Sequence, residues 1–218
     1  MKSKALSIIT DIGFIVFLVV FPHAVPLPFY SYAVICFLAI FLVLRREGKT
    51  FSDLGLNKKN LTVGVVLLGI LSALAWVAFM QIVYIPSIKH FFEVPDYTEY
   101  NFIRSSMPRL VMTIVAAWVI GGFYEEIVFR GCIQNLLEKK MFKGMGSLLP
   151  IGVTSILFGL YHLQQDVFAV IAACLGGLYW SILYKKLNNN LWISIISHAL
   201  FDMITLILIY SGRFGNFI

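Results

Sequence analysis

Residues 110–130 read LVMTIVAAWVIGGFYEEIVFR. From 110 to 124 no side chain carries a charge, and a helix needs about 20 such residues to cross the roughly 30 Å of bilayer hydrocarbon. Two adjacent carboxylates, Glu125 and Glu126, and one guanidinium, Arg130, then follow with no proline to end the run. Read as a soluble helix, the run lacks a polar stripe to face water. Read as a membrane helix, it buries three charges that lipid disfavours.

The rest of the chain decides for the membrane. Of its 218 residues 60% are hydrophobic and only 13% charged, and the mean hydropathy is +0.88. A soluble domain cannot cover so much apolar surface. Apolar blocks between breakers fall near 7–22, 29–44, 61–85, 109–136, 147–162, 166–184 and 190–211. They are too long and too continuously apolar for the alternating strands of a barrel, and backbone groups in lipid must pair within their own segment. The expected fold is therefore all-α, a polytopic transmembrane bundle of about seven helices forming a single membrane domain over 1–218. Residues 1–108 supply N-terminal helices and loops, and 109–211 carry the polar motifs.

Twelve of the seventeen Lys and Arg fall in the connections that a cytoplasmic N-terminus places inside. Lys89, Arg104, Arg109 and Arg213 fall outside, and Arg130 lies within a span. The positive-inside rule thus predicts a cytoplasmic N-terminus and a multi-pass protein of the cell membrane. The formal charge of +6 is dispersed among loops with no continuous basic face, which excludes nucleic acid as a partner and leaves membrane lipid. Lysines followed by an apolar run at 1–21 resemble a signal sequence, but Asp11 interrupts the run and no small-x-small site follows, so an uncleaved first helix is expected. Asp11 itself is placed near the inner interface. Cys36, Cys132 and Cys174 form no CxxC pair and read as small buried hydrophobes. The connection 86–108, with Phe91, Phe92, Tyr97 and Tyr100, reads as a plain loop, with an interfacial lid as the alternative.

Charges that persist inside a membrane usually face protein or water and have a task. Besides Glu125, Glu126 and Arg130, the fifth block ends in Phe158-Gly159-Leu160-Tyr161-His162, and the seventh carries His198-Ala199-Leu200-Phe201-Asp202. Residues four apart share a helix face, so Glu126 can neutralise Arg130 while Glu125 is left without a partner on its own helix. His198 and Asp202 likewise share a face, letting Asp202 orient the imidazole. A rise of about 1.5 Å per residue puts Glu125 and His198 at similar depth and His162 deeper, a gap that tilt or a break near Gly159 would close. His23 and His90 fall in loops and are assigned nothing. A carboxylate sheltered from bulk water is a competent base for water near neutral pH, and histidines can hold that water or stabilise an oxyanion. Equally, Glu125, His162 and His198 are a possible ligand set for a divalent metal such as zinc, whose bound water would then be the nucleophile. Spacing leaves both open.

These residues resemble the CPBP family of intramembrane proteases, which includes the CAAX prenyl endopeptidases and the bacterial, Abi-type bacteriocin-processing or immunity proteins. The family's Glu-Glu-x-x-x-Arg is found at 125–130, its Phe-x-x-x-His at 158–162 and its His-x-x-x-Asn/Asp at 198–202, in that order over roughly residues 110–210. The resemblance implies an endopeptidase with Glu125 as the base for water, His162 holding that water, and His198 with Asp202 on the oxyanion side. Glu126 and Arg130 would support the architecture. No cofactor is required in a glutamate mechanism, whereas the metal description of the family would add a cation. Asp202 stands where the prenyl endopeptidases carry asparagine, and an ionised aspartate cannot donate to an oxyanion. With little beyond the bundle, the chain resembles the small bacterial members, whose substrates would be leader, pheromone, bacteriocin or CAAX-like peptides and proteins. A non-proteolytic bacteriocin-immunity or secretion-accessory protein of the same fold is the alternative. A small proton-relay transporter is a third class, disfavoured by the motif order and by the absence of an internal repeat.

Overall fold

The computed structural model describes residues 2–92 and 98–215, with side chains from residue 6 onward except Phe29. Tyr97 lies outside the described residues. Seven principal helices are found among them: α1 Lys2–Ala24, α2 Ser31–Arg46, α3 Val63–Ile88, α4 Met107–Met141, α5 Leu148–Leu160, α6 Val167–Lys186 and α7 Leu191–Tyr210. Each matches one apolar block of the sequence, and no strand occurs among the described residues. With α1 counted from Leu6, five of the seven (α1, α3, α4, α6 and α7) are long and apolar enough to cross a membrane, and the chain is a multi-pass membrane protein. At 13 residues α5 spans only about 20 Å.

Local chemistry sets the helix ends. Pro26 and Pro28 break the chain between α1 and α2, since proline lacks the N–H that a continuing helix needs. Thr62, Asp166 and Asn190 cap α3, α6 and α7, their side-chain oxygens accepting from the backbone N–H groups of Val65, Ala169 and Trp192. Lys185 and Lys186 close α6, and Arg45 and Arg46 close α2, where cations suit the negative end of the helix dipole.

The tightest helix neighbours are α5 with α6, α3 with α7 and α4 with α7. Gly159 lets α5 lie against α6, because a Cβ there would run into Cys174 Sγ and stand 3.1 Å from Val170 O. The outer faces remain apolar: Val34, Leu38, Leu67, Leu71, Val111 and Val115 are all exposed, as lipid contact requires. Polar groups gather inside instead, with Glu126, Arg130, Gln134, Thr154 and Ser181 fully buried. Cys36 and Cys132 are buried and Cys174 is half-buried, and all three are free.

At the end of the bundle where α4 finishes, Lys140 bonds Asp11 of α1 at 3.1 Å and Glu47, just past α2, at 2.6 Å, so Asp11 makes a tertiary polar contact. Hydrogen bonds from Lys140 and Lys49 hold the Glu47 carboxyl below the usual carboxylate range. A depressed value means that this stabilisation is present above the ordinary glutamate value of about 4.3 and is lost as pH falls through the lower, folded value. Glu47→Gln is expected to lower the thermal midpoint in detergent by about 2 °C at pH 7, in keeping with the roughly 0.2–1 kcal/mol of a partly exposed ion pair. Melting curves of the two proteins should converge as the pH drops below about 4.

Candidate active site

The core of the bundle surrounds a cavity of about 720 Å³. Glu125 from α4, His162 from the turn after α5, and His198 and Asp202 from α7 all line it. Adjacent side chains of a helix point to different sides, so Glu125 and Glu126 part company on α4. From Trp118 to Glu125, and again from Ile127 to Gln134, the helix winds in π fashion, with hydrogen bonds reaching five residues back. Wider winding of this kind recurs where helices carry function. Glu126 still meets Arg130, with Nη1 2.9 Å from Oε1 and neither side chain exposed. No hydrogen bond or ion pair to the Glu125 carboxylate is found among the described residues, and its side chain faces the cavity.

Glu126 does more than neutralise Arg130. Its Oε1 also lies 2.9 Å from His198 Nδ1, so that ring nitrogen donates to the carboxylate and Nε2 is left for the cavity. Asp202, which helical spacing offered as the orienting group, stands 3.7 Å from Nε2, beyond hydrogen-bond reach, so the orienting bond to His198 is made by Glu126. Arg130 is fixed in turn: Nη2 donates to Gly177 O at 3.2 Å, and the guanidinium lies 4.4 Å above the Phe158 ring. A chain of contacts thus runs from Gly177 through Arg130 and Glu126 to His198.

His162 reaches the cavity because α5 ends at Leu160 and the chain turns there; the helix continues through Gly159 without a break. Its Nδ1 bonds Phe158 O at 2.8 Å, necessarily as donor, leaving Nε2 as the free acceptor of the neutral ring. Phe158 also separates the two imidazoles, its ring centroid 4.8 Å from that of His162 and 5.9 Å from that of His198. Among the described residues no three His, Cys, Asp or Glu side chains converge as a metal site, so Glu125, His162 and His198 do not fit a shared cation in this arrangement.

Several cavity residues carry no sequence signal. His23, on α1, packs edge-on against Tyr161 at 4.5 Å and lines the cavity, as do Tyr32 from α2 and Trp180 from α6. Glu99 and Tyr100, in the 86–108 connection, line it too. Gly121 leaves room for Asp202: a Cβ there would strike Asp202 Oδ2, the end of a side chain that can turn, and come 3.9 Å from His198 Nε2. Because the Asp202 carboxylate can turn aside and alanine favours a helix over glycine by about 1 kcal/mol, Gly121→Ala is expected to displace Asp202 with little net change in stability. If the clash is with Asp202, the double variant Gly121→Ala/Asp202→Ala will melt no lower than Asp202→Ala alone.

The Rce1-like family, type II CAAX prenyl endopeptidases, matches the chain over residues 107–204. An uncharacterized protein of Mycoplasma capricolum subsp. capricolum is 26% identical over 124 residues, which cover 56% of this chain and 33% of that relative. The matched segment thus spans about a third of the relative's length. No solved structure matches the chain. Residues 107–204, which hold all three motifs, are thus similar to the Rce1-like, type II CAAX prenyl endopeptidase family.

Proposed function

We propose that the protein is an intramembrane endopeptidase of the cell membrane, N-terminus cytoplasmic, which hydrolyses a peptide bond of a membrane-associated peptide or protein through a water activated by Glu125. The observation that carries this reading is an unpaired, nearly buried carboxylate facing a cavity with two imidazoles. Glu125 takes the proton of the attacking water and passes it to the leaving amine as the C–N bond breaks. His162, with Nδ1 engaged by Phe158 O, accepts from that water through Nε2 and holds it. His198, held by Glu126 through Nδ1, presents Nε2 to the substrate oxygen, and when that nitrogen carries a proton it donates to the developing oxyanion. Asp202 stands 3.7 Å from that same Nε2, on the oxyanion side, and Glu126 and Arg130 keep the imidazole in place.

The test is incubation of the purified protein, in detergent and in vesicles, with a panel of lipid-anchored and transmembrane peptides, with and without a chelator, reading new termini by mass spectrometry. Cleavage at a defined bond, unaffected by the chelator, is expected. A folded protein that cuts nothing in the panel would point instead to a non-proteolytic immunity or secretion-accessory role.

A further inference from the structure

The Trp180 ring lies flat against the His198 imidazole, with centroids 3.8 Å apart and planes 20° from parallel. Neither ring is free to slide. The Trp180 Nε1–H donates to Ser197 Oγ at 3.1 Å, on the residue next to His198. Ser197 Oγ is 2.9 Å from Ser72 Oγ on α3, and Ser72 Oγ is 2.8 Å from the Tyr179 hydroxyl, which returns a bond to Ser72 O at 2.9 Å. Three helices are thereby tied together behind one aromatic face. Trp180 itself is almost fully buried.

An imidazole held only at Nδ1 by Glu126 can still swing about that bond; a flat ring against one face removes that freedom. We propose that Trp180 is a positioning residue for His198, a platform that together with Glu126 fixes the direction of Nε2 into the cavity. The flat contact also suits a cationic imidazole, since the indole face attracts positive charge. The consequence for rate rests on the endopeptidase reading, but the platform does not.

The experiment uses the full-length protein in detergent with 15N-labelled histidine, comparing wild type, Trp180→Phe, Trp180→Leu and Ser197→Ala, with His198→Gln to assign the resonances. In wild type the His198 ring protons are expected upfield, under the indole ring current, with a single tautomer protonated at Nδ1. Trp180→Phe should keep most of that shift. Trp180→Leu should abolish it and mix the tautomers, and Ser197→Ala, which keeps both rings and removes the Trp180 acceptor together with its bond to Ser72, should broaden the same signals. Against a peptide that the wild type cleaves, Trp180→Leu should lower kcat roughly ten- to hundredfold with KM nearly unchanged, and Trp180→Phe should restore most of it. His198 signals without an upfield shift in wild type, or unchanged in both Trp180→Leu and Ser197→Ala, would overturn the proposal. Expected spectra from a protein that cleaves nothing would retain the platform and refute only the endopeptidase.

Discussion

Arg130→Met will destabilise the protein by about 3–5 kcal/mol, because it removes one partner of a fully buried ion pair and leaves the other charge behind. Glu126 would lose the Nη1 contact at 2.9 Å and retain only His198, while Gly177 O would lose its donor. At roughly 2–4 °C per kcal/mol for a chain of this size, the thermal midpoint should fall by about 10 °C. The second variant isolates the cause. Arg130→Met/Glu126→Gln removes both charges, keeps an acceptor for His198 Nδ1, and should recover a substantial part of the loss, because the penalty comes from the stranded carboxylate. Arg130→Lys should fall between, since a lysine cannot reproduce the planar fork that serves Glu126 and Gly177 together. Thermal melts in one detergent measure all three, and an Arg130→Met protein that melts with wild type would contradict the buried pair.

Glu125→Gln will lower peptide hydrolysis by about 10³-fold, within the range for loss of a general base, and will leave the midpoint within about 1 °C of wild type. The amide keeps the volume and loses the basicity. The stability half follows from the absence of a protein partner: nothing among the described residues is stranded when the charge goes. Glu125 and Arg130 therefore separate cleanly. One substitution should silence the chemistry in a folded protein, and the other should loosen the fold that presents it. Equal loss of stability in both, or full cleavage by Glu125→Gln, would merge or erase that distinction.

The helices were legible because the bilayer imposes a length and a hydropathy that a sequence displays directly, and each expected span coincides with an observed helix. The grouping of Glu125, His162, His198 and Asp202 around one cavity was legible in outline from their order on successive helices. What was not legible depends on neighbours that spacing cannot reveal. A 3.6-residue period pairs Glu126 with Arg130 but is silent on His198, 72 residues away, whose Nδ1 that same carboxylate accepts. The π winding of α4 has no sequence signature that we used, and it changes how residues are distributed about that helix. A helix continued to residue 162 puts His162 too deep, whereas α5 stops two residues earlier. Trp180 stands in no motif and His23 falls in an expected loop, and only the tertiary fold brings them to the cavity.

The central claim is that Glu125, His162 and His198 share one water-filled pocket shielded from lipid. In a background lacking Cys36, Cys132 and Cys174, the single variants Glu125→Cys, His162→Cys and His198→Cys can be exposed in intact vesicles to a small, charged thiol reagent that does not enter lipid, with Val119→Cys, on the exposed apolar face of α4, as the lipid-facing control. The account predicts that the first three are labelled and the control is not. Labelling of the three no faster than of Val119→Cys would place those side chains away from water and contradict it.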